Sequence, residues 1–106
     1  MKWNLFLDDE RYPINNKWNW VIARNFDDAV WCVKHYGPPQ SIYFDHDLGG
    51  TKNGYDFAKW FCDMIIDGYV SMPNDFQYYV HSQNPIGAEN IRNYMDNFLK
   101  HYNETY

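Results

Sequence analysis

Short apolar runs that stop abruptly at polar residues alternate along the chain with longer stretches of helical period. Trp3–Leu7 predicts a first strand, ended by Asp8-Asp9-Glu10-Arg11. Tyr12-Pro13 and Asn15-Asn16 mark a loop, and Trp18–Ala23 predicts a second strand at an edge. Asn25 is placed to cap a helix over Phe26–Tyr36. Its apolar stripe is Phe26, Ala29, Val30 and Val33, Asp27 and Asp28 suit the first turn, and Gly37-Pro38-Pro39 stops it. Ser41–Phe44 predicts a third strand, followed at once by Asp45-His46-Asp47-Leu48-Gly49-Gly50. Gly54–Asp67 predicts a helix with Phe57, Ala58, Phe61, Met64 and Ile65 on one face and Gly68 at its end. Phe76–Val80 predicts a fourth strand that runs into His81-Ser82. Asn84 as N-cap and Pro85 at the first helical position open the last helix, whose stripe is Ala88, Ile91, Met95, Phe98 and Tyr102.

Strands alternating with helices predict an α/β fold, a parallel sheet covered on both faces. At 106 residues the chain is read as a single domain over residues 1–106, large enough for its own core. Ligands of such sheets bind beyond the carboxyl ends of the strands. Three of the four expected strands end there in polar clusters: Asp8-Asp9, Asp45-His46-Asp47 and His81-Ser82. One strand ending in an acid is commonplace; three together predict a site.

Composition narrows the ligand. Ten Tyr, seven Phe and five Trp are far more than usual, mostly for packing, with a few available to stack on a base. The net charge of −5 and nine scattered Lys and Arg argue against long nucleic acid and leave a small ligand open. Cys32 and Cys62 fall inside helical patterns without metal or disulfide spacing, which predicts reduced thiols in a cytoplasmic protein. No apolar run approaches the roughly 18 residues of a membrane span.

Carboxylates gathered in one pocket repel one another, so either burial raises their pKa values or a cation neutralises them. An oxygen-only set of Asp8, Asp9 and Asp45 suits Mg²⁺ or Mn²⁺, and no organic cofactor is expected. The alternative is ordinary capping at strand ends. His46 and His81 titrate near neutral pH and are candidates, with Asp45, for proton transfer; a structural histidine bonded to a carboxylate is the alternative for each. His35 and His101 read as surface residues. Ser82, Asn84 and the backbone at Gly87 lead into a helix N-terminus and are candidate phosphate ligands, with Gly49-Gly50 as a second cradle. Arg11 is a candidate phosphate clamp, or the partner of Glu10 or Asp47.

Leu7-Asp8-Asp9-Glu10-Arg11 with Pro13, then Phe44-Asp45-His46-Asp47-Leu48-Gly49, then His81-Ser82-Gln83-Asn84-Pro85 with Gly87-Ala88 and Asn90-Ile91, resembles the cyclic-phosphate processing receiver-like family across nearly the whole chain. The resemblance implies a truncated receiver-like (flavodoxin-like) three-layer sandwich with about four mainly parallel strands and three helices. Set beside a response-regulator receiver, Asp8 and Asp9 stand at the acidic pair that holds magnesium and Asp45 at the phosphoacceptor. His81-Ser82 replaces the switch Ser or Thr, the first helix is missing between Glu10 and Lys17, and no fifth strand or pairing lysine follows the last helix. Three functions follow: a phosphoesterase acting on a cyclic phosphate or small nucleotide; a non-catalytic sponge for a nucleotide signal, of the kind phages encode; and a degenerate receiver that docks a protein. The oligomeric state is not legible.

Overall fold

Period-two alternation gives each strand two unlike faces, and the sheet register adds those faces across the molecule. The computed structural model describes residues 2–14 and 19–105. Its elements are β1 (Asn4–Leu7), β2 (Trp20–Ala23), α1 (Phe26–Tyr36), β3 (Ser41–Phe44), α2 (Gly54–Ile66), β4 (Gln77–Val80) and α3 (Pro85–Thr105). The expected loop at Asn15-Asn16 and the expected start of the second strand at Trp18 lie outside the described residues.

The strands form one parallel sheet in the order β2-β1-β3-β4. Residues paired in a parallel register point to the same side. Leu5, Leu7, Ala23, Ile42 and Phe44, all fully buried, therefore share one face. They pack with Ala29 and Val33 of α1, Phe57 and Phe61 of α2, and Ile91 and Met95 of α3 in a single core. Burying a side chain of this size contributes roughly 1.5–3 kcal/mol, so this core supplies the main driving force.

The other face carries Phe6, Ile22, Tyr43 and Tyr79. Among the described residues no helix covers it, and Ile22 and Tyr79 are exposed. The receiver-like α/β fold with four parallel strands and three helices is present as expected, but among the described residues its helices lie on one face of the sheet, so two layers stand where three were expected. Crossover handedness explains this. Right-handed connections put helices that step rightward along the sheet on one face and a helix stepping leftward on the opposite face. The one leftward step, β1 to β2, has no helix among its described residues.

Local chemistry fixes each helix start. Asn25 Oδ1 accepts from Asp28 N at 2.8 Å, and Asn53 and Asp56 form a reciprocal capping box at α2. Asn84 Oδ1 accepts from Gly87 N at 2.9 Å at α3. Such caps contribute about 0.5–2 kcal/mol each and place three helix N-termini at the carboxyl edge of the sheet.

Candidate functional site

The sheet's hydrogen-bond ladder continues one residue past each strand. Asp8 N donates to Ala23 O, Asp45 N to Leu7 O and His81 N to Phe44 O, at 3.1, 2.9 and 3.0 Å. Asp8, Asp45 and His81 are thereby held side by side at one edge, as the sequence predicted.

Ligand atoms of Asp8, Asp9 and Asp45 lie within 4.8 Å of one another, a spacing compatible with the oxygen donors of a divalent cation. Asp8 is fully buried. Its Oδ1 accepts from the backbone of Glu10 and Arg11 at 3.0 and 2.9 Å, closing a tight turn, while its Oδ2 has no hydrogen-bond partner. A buried oxygen without a partner costs about 1–3 kcal/mol, more when charged. Asp45 is also buried; burial pushes its carboxyl above the usual range, Asp8 and Asp9 add to this, and Ser82 and Arg11 oppose it. Gly49, at φ 70°, brings the following loop against Asp9, where a Cβ would stand 3.6 Å from Oδ2.

Arg11 pairs with Asp8, with Nη1 3.7 Å from Oδ2, rather than with Glu10 or Asp47. The same Nη1 lies 3.1 Å from His81 Nδ1 and 3.3 Å from His81 O, and Tyr43 Oη lies 2.7 Å from His81 Nδ1. A guanidinium only donates. The Arg11 contact therefore favours the tautomer in which His81 Nδ1 accepts and Nε2 carries the proton. The hydrogen bond to Tyr43 raises the Arg11 pKa, and burial raises that of Tyr43.

His46 faces elsewhere. Its Nδ1 is 2.8 Å from Asp47 Oδ1, and this contact holds the Asp47 carboxyl below its usual range. Its ring lies against Gly87, where a Cβ would meet Cγ at 2.4 Å. The space over Gly87 is thus filled by His46 and its amide is capped by Asn84, which corrects the expectation that Gly87 receives a ligand. Asn84 Nδ2 reaches Asp47 Oδ1 at 3.5 Å, and Ser82 Oγ accepts from Asn84 N at 3.1 Å. At the start of α2, Gly54 N donates to His46 O at 2.8 Å, and a Cβ there would fall 2.0 Å from Asp45 O.

A cavity of about 110 Å³ at this edge is lined by Asp9, Glu10, Arg11, Asp45, Asp47, Ser82 and Gln83. A second, of about 240 Å³, adjoins Arg11 and His81 on the helix-free face. His46 lines neither, so the two candidate histidines do not meet in either of these cavities. Sequence reasoning missed Tyr43 and Arg24. Tyr43 lies on the strand face that also carries Tyr79 and, two residues on, His81, so alternation could have found it. Arg24 directly follows β2, and its Nη1 donates to the carbonyls of Asp8, at 3.0 Å, and Arg11.

A parallel sheet in this order, with an acidic cluster of two buried carboxylates and one exposed one beyond β1 and β3, defines a receiver-like domain. Residues 3–97 match the cyclic-phosphate processing Receiver domain, and the chain belongs to that family. Its fold is similar to a solved chain titled as a yeast Spc42 trimeric coiled-coil segment fused to another structure, with a TM-score of 0.58 and 24% identity. That similarity covers 87% of this chain and 62% of the solved one. No curated protein matches the chain. No helix among the described residues is long and apolar enough to cross a membrane.

Proposed function

We propose that the domain is a phosphoesterase that opens a small cyclic phosphate with the help of Mg²⁺ or Mn²⁺. The observation that carries this reading is Asp8 Oδ2, buried without a hydrogen-bond partner beside two further carboxylates. Asp8, Asp9 and Asp45 would hold the ion, whose chemistry is to polarise a phosphoryl oxygen and acidify water. Arg11 offers the charged donor at the rim, and Ser82 lines the same cavity.

His81 steadies the leaving group in this reading. Water attacks phosphorus and gives its proton to a carboxylate of the cavity, one ring P–O bond breaks, and the departing oxygen takes up that proton while His81 Nε2–H donates a hydrogen bond to it. His46 positions Asp47 and docks α3, and it does not touch the substrate. Capture without turnover would use the same residues and is the competing reading.

Incubation of the protein with a panel of cyclic phosphates and millimolar Mg²⁺ or Mn²⁺ tests the proposal. A ring-opened monophosphate is the expected product, lost in chelator and in Asp8→Asn, with His81→Ala lowering turnover by roughly 10²–10³-fold. Binding without product in every metal would overturn catalysis.

A further inference from the structure

The cavity on the helix-free face is unlike the acidic one. Its floor is Phe6 stacked on Tyr43, with ring centroids 4.2 Å apart and planes 9° from parallel. Trp20 stands edge-on to Phe6 at 5.7 Å, and Tyr12 forms the outer wall. Tyr12 is 72% exposed, yet its ring is held by the Arg24 guanidinium 4.5 Å away. Arg24 in turn grips the carbonyls of Asp8 and Arg11, so the aromatic wall and the acidic turn are braced by one side chain. Arg11 lines both cavities, and His81, at the aromatic one, is followed directly by Ser82 at the acidic one.

We infer that this aromatic cavity is a subsite for the base of a mononucleotide whose phosphate lies across Arg11 in the acidic cavity. The inference rests on the phosphoesterase reading for the phosphate and names the substrate class. The exposed Tyr12 ring offers a π-face to a base lying over the edge of the Phe6–Tyr43 stack, and stacking of this kind is tolerant of base identity. At about 240 Å³ the cavity falls below the roughly 300–1,000 Å³ of drug-sized pockets, room for one ring system and not for two bases. A chain of net charge −5 offers no track for a longer polyphosphate backbone.

The test compares adenosine, adenosine carrying a ribose cyclic phosphate, and glycerol cyclic phosphate, which has the ring and no base. Binding is read by nuclear magnetic resonance shifts of the Phe6, Tyr12 and Tyr43 rings, and turnover is read separately. The nucleoside should perturb these rings on its own. Tyr12→Ala, an exposed position where folding is not at risk, should weaken the nucleotide by roughly 5- to 150-fold and leave glycerol cyclic phosphate unchanged. Trp20→Phe should retain binding, because a stacking surface remains. Equal handling of the base-free and base-bearing compounds, with no effect of Tyr12→Ala, overturns the subsite while leaving the phosphoesterase reading intact. Nucleoside binding without turnover of any compound overturns that reading and leaves the subsite. An oligonucleotide that binds much more tightly than the mononucleotide overturns the mononucleotide assignment.

Discussion

Gly87 is the position where a single methyl group reports on the architecture of the site. A Cβ there would stand 2.4 Å from Cγ and 2.6 Å from Cδ2 and Nδ1 of His46. These atoms lie at the root of the imidazole, so the ring cannot swing clear by moving its tip. Carbon contacts settle near 3.5–4.0 Å, so the ring or the helix must retreat by about 1 Å. Overpacking of this kind costs about 1–3 kcal/mol. Against it stands the ordinary gain of Gly→Ala in a helix, about 0.5–1 kcal/mol. Gly87→Ala should therefore lower stability by about 0.5–2 kcal/mol.

The decisive measurement is a double-mutant cycle with His46→Ala, followed by urea unfolding. Without the imidazole the three atoms nearest the new methyl are gone, and Gly87→Ala should turn stabilising by about 0.5–1 kcal/mol, a coupling of about 1–3 kcal/mol. The m-value should stay constant through the cycle, since the surface exposed on unfolding barely changes. His46→Ala should also free Asp47, whose carboxyl is held low by the His46 contact, so its pKa should rise toward the ordinary range. Gly87→Ala costing the same with and without the ring would refute the contact and its role in docking α3.

Other consequences follow from single side chains. Burial raises the Asp45 pKa, so the folded state holds that proton more tightly than the unfolded one, and ionised Asp45 costs stability that is recovered as pH falls through the raised value. Asp45→Asn should accordingly raise the melting temperature of the metal-free protein at neutral pH and flatten its dependence on the acid side. Nitrogen-15 spectra of His81 should show a neutral ring protonated at Nε2, and an Nδ1 proton there would contradict the Arg11 contact. Arg24→Met, which removes the hydrogen bonds to Asp8 O and Arg11 O, should cost about 1–3 kcal/mol and loosen the Asp8–Arg11 turn, seen as faster amide exchange at Glu10 and Arg11.

Elements and edge were legible in the sequence because their signals are local. Asn25 and Asn84 sit where caps must, and Asp8, Asp45 and His81 each end an apolar run. The layer count was not, although its cause was in view. The broken segment after Asp8 holds no helix pattern, and crossover handedness then bares the face carrying Phe6 and Tyr43. What a linear pattern cannot show is which way a side chain turns at the edge. His46 and His81 each follow a strand closely, yet one packs under α3 and the other joins Arg11 and Tyr43. The two glycines opposite the Asp45–His46 segment, Gly54 and Gly87, read in sequence as a helix start and a ligand cradle; in the fold they are clearances for a carbonyl and a ring.

The charge balance of the edge supports an order of events. Asp8, Asp9 and Asp45 meet within 4.8 Å, and Arg11 stands 3.7 Å from Asp8, so three carboxylates against one guanidinium leave two negative charges when all are ionised. Arg24, whose Nη1 donates to the carbonyls of Asp8 and Arg11, keeps its positive charge but forms no ion pair with the three carboxylates among the described residues. Two like unit charges about 4 Å apart repel by about 4 kcal/mol at an effective dielectric constant of 20, so a phosphate approaching the bare cluster is opposed by more than Arg11 alone offsets. A divalent ion matches the excess, and it would give Asp8 Oδ2 a direct ligand bond where Arg11, at 3.7 Å, makes no hydrogen bond. The ion would therefore bind before the phosphate. The aromatic cavity, whose walls are mainly rings, would accept an uncharged nucleoside in either case.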